Sequence, residues 1–130
     1  MYIYLVLFII VIESCFFALF VTVAPIFSSQ LPVNKQTKTE NETVSYSCIA
    51  DAKPAATILW QLDGQNLTET SPYNYSVSVK PASQSKLLKT LANLTIDRVT
   101  WREYGNVSCL AYNDAGKRSQ TTELEVRCKS

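Results

Sequence analysis

The strongest nucleophiles in this 130-residue chain are four cysteines, Cys15, Cys48, Cys109 and Cys128. No histidine stands beside them to act as a base, because the chain contains none. A nucleophile without a positioned base is weakly activated, and no Gly-rich phosphate loop appears, so enzymatic function is not expected. Glu123 and Glu125 form a carboxylate pair, but on the outward side of a terminal run they read as solvated charge, not as an acid and base. Neither thiolate clusters nor calcium-type acidic loops occur, so no metal and no cofactor is implied. Net charge is +1 with both signs interleaved, which gives no basic stripe for a phosphate backbone and excludes nucleic acid as a partner class.

A second kind of chemistry is written in the asparagines. Asn41, Asn66, Asn74, Asn93 and Asn106 each open an N-x-S/T sequon, and none is followed by proline. Such sites act as N-glycan acceptors only on chains that enter the secretory route. The chain carries its own entry signal: Met1 to Phe27 is almost wholly apolar, with Glu13 its only charge. Residues 1–28 therefore read as a signal peptide, with Ala24 or Ser28 as candidate cleavage positions, or as an uncleaved signal anchor. Either way the remainder, 29–130, is placed outside the cytosol, secreted or on the extracellular side of the plasma membrane. Contact with a membrane would run only through this N-terminal segment or through a missing C-terminal region.

In an oxidising compartment thiols tend to be paired. If the leader takes Cys15 with it, Cys48, Cys109 and Cys128 remain, so at most two close an internal bridge and one is left over.

The elements that must position these residues are short strands. Val44, Tyr46, Cys48 and Ala50 alternate with Ser45, Ser47 and Ile49, the pattern of a strand with one buried face. Ile58, Trp60 and Leu62 alternate next, followed by Asp63-Gly64, a hairpin signal. Tyr73, Tyr75, Val77 and Val79 repeat the alternation before Lys80-Pro81. Ala92, Leu94 and Ile96 form a further run, as do Val107, Cys109 and Ala111. Asn113 to Gly116 supplies a turn, and Leu124 with Val126 closes the series. At least six strands without helical periodicity make a single all-β domain.

Cys48, Trp60 and Cys109 occupy inward positions of three different runs, the tryptophan 12 residues and the second cysteine 61 residues after the first. This Cys-Trp-Cys spacing is the immunoglobulin pattern. The run Cys48-Ile49-Ala50, Lys53-Pro54 and Ile58-Leu59-Trp60 resembles the B to C segment of I-set and C2-type immunoglobulin domains. Cys109-Leu110-Ala111-Tyr112-Asn113-Asp114-Ala115-Gly116 resembles the F to G hairpin of the I-set. Ala52 to Ile58, with Leu124 to Arg127, is similar to domains of nectin-like and nephrin-type adhesion molecules. The resemblance, covering residues 33 to 127, implies a two-sheet antiparallel sandwich with Greek-key connections, a Cys48–Cys109 disulfide with Trp60 packed on it, and an unpaired Cys128. It also implies a protein partner, which includes another immunoglobulin-like domain, homophilic or heterophilic.

One position departs from the family pattern. Where these domains carry Asp-x-Gly-x-Tyr-x-Cys, this chain has Glu103, Gly105, Val107 and Cys109. The usual corner tyrosine is absent, Tyr104 is the nearest hydroxyl that could replace it, and both I-set and C2-type fit. Trp101 and Tyr104 are expected to cap the bottom of the core.

Alternation also points to a contact surface. Leu59 lies between inward Ile58 and Trp60, and Leu110 and Tyr112 flank inward Ala111, so all three project from one outer face. Asn106 projects from that face and Asn93 from the opposite sheet. Leu59, Leu110 and Tyr112 are the candidate partner-binding face of a recognition domain in adhesion or receptor–ligand binding. A glycosylated spacer and a soluble secreted binder are the alternatives. Cys128, directly after the last strand, fits an intermolecular bridge or a chain cut from a longer protein.

Overall fold

The computed structural model describes residues 22–82 and 86–129. Among the described residues nine strands form two sheets, and the alternation that marks the central strands in sequence decides which of their side chains lie between the sheets. The strands are β1 (Val23–Phe27), β2 (Gln36–Thr39), β3 (Val44–Lys53), β4 (Thr57–Leu62), β5 (Gln65–Asn66), β6 (Tyr73–Pro81), β7 (Leu88–Ile96), β8 (Gly105–Asn113) and β9 (Gly116–Arg127). A 3₁₀ turn, Trp101–Glu103, precedes β8. One sheet has the order β1-β3-β7-β6 and the other β2-β9-β8-β4-β5. The chain crosses between sheets after β1, β2, β3, β5 and β7. Among the described residues no helix is long and apolar enough to cross a membrane.

Burial follows period two along the central strands. In β3, Val44, Tyr46, Cys48, Ala50 and Ala52 are buried, and in β7 Thr90, Ala92, Leu94 and Ile96. Ile58 and Trp60 of β4, with Val107, Cys109 and Ala111 of β8, meet them from the facing sheet. Such close packing makes the inner layer the main apolar store of stability.

One expectation changes here. The pairing is not wholly antiparallel, since β2 runs parallel to β9, with Gln36 beside Leu124 and Thr39 beside Arg127. The chain leaves β1 in one sheet, passes Leu31 and Pro32, and continues in the same general direction against the other sheet. Val23–Phe27, as apolar as the segment before it, forms β1, with Phe27 registered against Ala50 and Pro25 fully buried. Residues 1–21, including Cys15, lie outside the described residues.

β6 shows the limit of alternation as a guide to burial. Tyr73 and Tyr75 pack on the core, but Val77 and Val79, of the same parity, are 57% and 52% exposed. The facing sheet ends in the two-residue β5, and the far half of β6 is left exposed.

Candidate functional site

The centre of the sandwich is pinned covalently. Cys48 of β3 and Cys109 of β8 are bonded across the two sheets, with Cα atoms 6.6 Å apart. Trp60 stands beside Cys109 in the ladder of β4 with β8 and is 1% exposed. Its ring lies 6.5 Å from that of Tyr46 at an interplanar angle of 40°. The Tyr46 hydroxyl and the Trp60 indole N–H are buried without a hydrogen-bond partner among the described residues. Burial raises the Tyr46 hydroxyl to about 12 from its ordinary 10.0. A neutral phenol shut away from water resists losing its proton.

The corner before β8 is held by a carboxylate in place of the missing tyrosine. Glu103 is 3% exposed. Its Oε1 accepts from the Thr100 backbone N–H at 2.9 Å and the Thr100 hydroxyl at 3.1 Å, while the Tyr73 hydroxyl donates to Oε2 at 3.0 Å. Thr100 in turn accepts from the Arg102 N–H, closing a capping box. Tyr73, half-buried beside this carboxylate, is raised to about 12, first by burial and then by the Glu103 charge. The substitute hydroxyl therefore comes from Tyr73, not Tyr104. Tyr104 is 48% exposed and Trp101 70% exposed, with the Arg102 guanidinium 5.5 Å from the Trp101 ring centre. These two aromatics do not cap the core, because Glu103 and buried Val99 occupy that end.

The outer face of the β4-β8-β9 ladder is arranged in three rungs. Thr57, Tyr112 and Lys117 form one, Leu59, Leu110 and Ser119 the next, and Gln61, Ser108 and Thr121 the third. The structure thus brings Leu59 and Leu110 directly opposite each other, both half-buried, with Tyr112 38% exposed one rung away. Cross-strand partners stand about 5 Å apart at Cβ, so the three side chains make one continuous surface. The third rung is polar and tied down: Ser108 Oγ and Thr121 Oγ1 are 2.8 Å apart, and Gln61 Nε2 donates to Asn66 Oδ1 at 2.9 Å.

The F to G end is fixed by Asn113, whose Nδ2 donates to the carbonyls of Val23 and Pro54 at 2.8 and 3.0 Å. At the other end Asp63 and Gly64 both take positive φ, the two-residue turn their sequence indicates. The Asp63 carboxylate accepts from the Asn106 N–H at 2.8 Å, and a Cβ at Gly105 would collide with it.

The five sequon asparagines fall in distinct places. Asn41 is exposed in the turn between β2 and β3. Asn74 and Asn93 lie on the outer face of the four-stranded sheet, donating to Asp97 Oδ2 at 2.8 Å and Ser76 Oγ at 3.3 Å. Asn66 and Asn106 lie on the outer face of the five-stranded sheet at its Asp63 end. Cys128 is free and exposed just past β9. Among the described residues no group of three or more His, Cys, Asp or Glu side chains converges.

Two sheets joined by a central disulfide over a buried tryptophan define an immunoglobulin-like domain. Residues 26–126 match the immunoglobulin I-set domain, and the chain belongs to that family, which decides between I-set and C2-type. Hemicentin-2 of Mus musculus is 30% identical over 87 residues, covering 67% of this chain and 2% of the mouse protein. Among solved structures, an I-band fragment of titin superposes with a TM-score of 0.70 at 24% identity, covering 82% of this chain and 34% of the fragment. A complex of titin M10 with an obscurin-like 1 immunoglobulin domain gives 0.62 at 16% identity, covering 83% of this chain and 98% of the other. At these identities the titin structures show the shared fold alone. The chain spans only a small part of hemicentin-2 and about a third of the titin fragment.

Proposed function

We propose that this I-set domain is an extracellular recognition module that binds a protein partner through the outer face of β4, β8 and β9, in adhesion or receptor–ligand contact. The observation that carries this reading is the Leu59–Leu110 rung with exposed Tyr112 beside it, on a face whose sequons stand at the rim. Apolar and tyrosine side chains held on a flat ladder suit a contact core with a polar border. Asn106 lies four residues before Leu110, about 13 Å along the strand, so a glycan there would frame the patch without covering Tyr112. Lys117 and Ser119 supply polar groups on the β9 side. The titin M10 complex with a second immunoglobulin domain supports a protein, including a like domain, as the class of partner.

The apolar segment before β1 is proposed as the targeting signal and the five sequons as glycan acceptors, and both support an extracellular domain. A boundary that respects the fold lies before Val23, because removing β1 would uncover Ala50 and the residues packed around Pro25. The second reading is a glycosylated spacer, favoured by acceptor asparagines on both sheets. Soluble secretion of the single domain is compatible with either reading.

The test uses the secreted, glycosylated chain displayed as a tetramer against a panel of cell-surface ectodomains. Leu110→Arg with Tyr112→Ala should weaken the binding found by at least about tenfold while thermal unfolding stays cooperative. Unchanged binding by a folded double variant would remove this face from the account. Partner binding to none of the panel, with glycans mapped across both faces, would favour the spacer.

A further inference from the structure

Among the described residues β6 is the edge of the four-stranded sheet, and it is left open in a way the other edges are not. β1 carries Pro25 and a bulge between Val23 and Ile26, β2 is four residues long, and β5 only two. Natural sheets blunt their edges with such devices, because an unpaired strand invites another. β6 runs nine residues, with its proline and its one lysine at the far end.

The free main-chain groups of β6 can be assigned from its pairing with β7. The Asp97 N–H donates to the Pro72 carbonyl and the Ala82 N–H to the Leu87 carbonyl, at 2.9 and 3.0 Å. Hydrogen-bonded pairs alternate along an antiparallel ladder, so even-numbered residues of β6 face β7. The N–H and C=O groups of Tyr75, Val77 and Val79 then point to the open edge. The Tyr73 N–H, of the same parity, turns away from β7 to the Thr70 carbonyl. Two of these three residues carry uncovered side chains, Val77 and Val79, each more than half exposed, while Tyr75 packs on the core and is anchored by its hydroxyl to the Leu67 carbonyl.

We infer that β6 pairs antiparallel with β6 of a second copy of this chain, centred on Val77, joining two four-stranded sheets into one of eight. In that register Val77 meets the partner's Val77 and Tyr75 meets the partner's Val79, exchanging about six main-chain hydrogen bonds. The exposed valines of both copies become one apolar ladder on the side that the short β5 leaves uncovered. Charge fits as well: Lys80 falls opposite the partner's Asn74, so no like charges meet across the pair. Asn74 projects from the outer face, where a glycan leaves the edge itself open.

The experiment is sedimentation velocity on the secreted, glycosylated chain in a Cys128→Ser background, which removes thiol-linked dimers, over roughly 1 to 200 µM. A monomer–dimer equilibrium is expected. Val77→Lys, which sets two ammonium groups face to face, should raise the dimer Kd at least about tenfold, and Val77→Thr should leave it within about threefold. Val77→Cys in the same background should form a covalent dimer on mild oxidation, and Ser78→Cys should not. A parent chain monomeric across the range, a dimer indifferent to Val77→Lys, or equal cross-linking at both positions would overturn the pairing. The Leu110→Arg, Tyr112→Ala variant should self-associate like the parent, so this test and that of the binding face fail independently.

Discussion

The two outer faces of the sandwich rest on one disulfide-pinned core, and each carries one apolar rung, yet their surroundings differ. On the four-stranded sheet the rung is Ile49 with Leu91, in its two central strands. Asn93 follows two residues after Leu91 on the same face, and hydroxyls of Ser45, Ser47, Ser76 and Thr95 continue outward from it. Asp51 and Lys89 close the other side with an ion pair of 3.0 Å. On the five-stranded sheet the rung is Leu59 with Leu110, and the sequon asparagines stand at one end, leaving Thr57, Tyr112 and Lys117 clear. The difference teaches that a shared backbone and core leave the two outer faces free to differ, and under the proposed reading the contact surface follows from where apolar side chains and sequons fall relative to each other on outward positions.

The strongest way to break the comparison is to remove what both faces share. Replacing Cys48 and Cys109 together with alanine should cost about 4 kcal/mol in the chain-entropy account of a loop this long, read as a fall in the denaturant midpoint at similar slope. Both faces should be lost together. A variant that keeps its stability would show that the bridge does not carry the sandwich.

A smaller change sharpens the picture without touching either face. Tyr46→Phe removes a buried hydroxyl that has no partner among the described residues, and should raise stability at neutral pH by about 1 kcal/mol. The same substitution bears on alkaline behaviour. Tyr46 in the fold keeps its proton up to about 12, against 10.0 in the open chain. Between those values the folded state binds more protons than the unfolded one, so stability is whole below pH 10 and falls as pH rises toward 12. Denaturant titrations at pH 9 and 11 should show a drop in the parent that is reduced in Tyr46→Phe and kept in part by Tyr73, which burial raises in the same way. Equal drops in parent and variant would mean that Tyr46 is wetter than its burial indicates.

The core was readable because period-two burial needs only local sequence: Cys48, Trp60 and Cys109 each sit between outward neighbours, and all three are buried as their alternation implies. The leucine rung was readable for the same reason from the other parity. What escaped depended on tertiary context. β1 was hidden because its residues are as apolar as the segment before them, and β2 because Gln36–Thr39 is polar and gains strand geometry only against β9. Val77 and Val79 carry an inward pattern, but whether anything lies opposite depends on the length of β5, far away in the chain. Glu103 could have been found, since Thr100-x-x-Glu103 is the capping-box spacing. Its pairing with Tyr73 across 30 residues could not.

The most direct test of the central claim, that recognition belongs to the β4-β8-β9 face, is to place a glycan on each face in turn. Ser119→Asn completes a sequon with Thr121 beside Leu110, and Ser45→Asn completes one with Ser47 on the opposite sheet. Both positions are exposed, so both variants should fold and be secreted. With occupancy verified by mass spectrometry, partner binding should fall at least about tenfold for Ser119→Asn and stay at the parent level for Ser45→Asn. Binding that survives a glycan at position 119, or is lost only with one at position 45, would contradict the assignment.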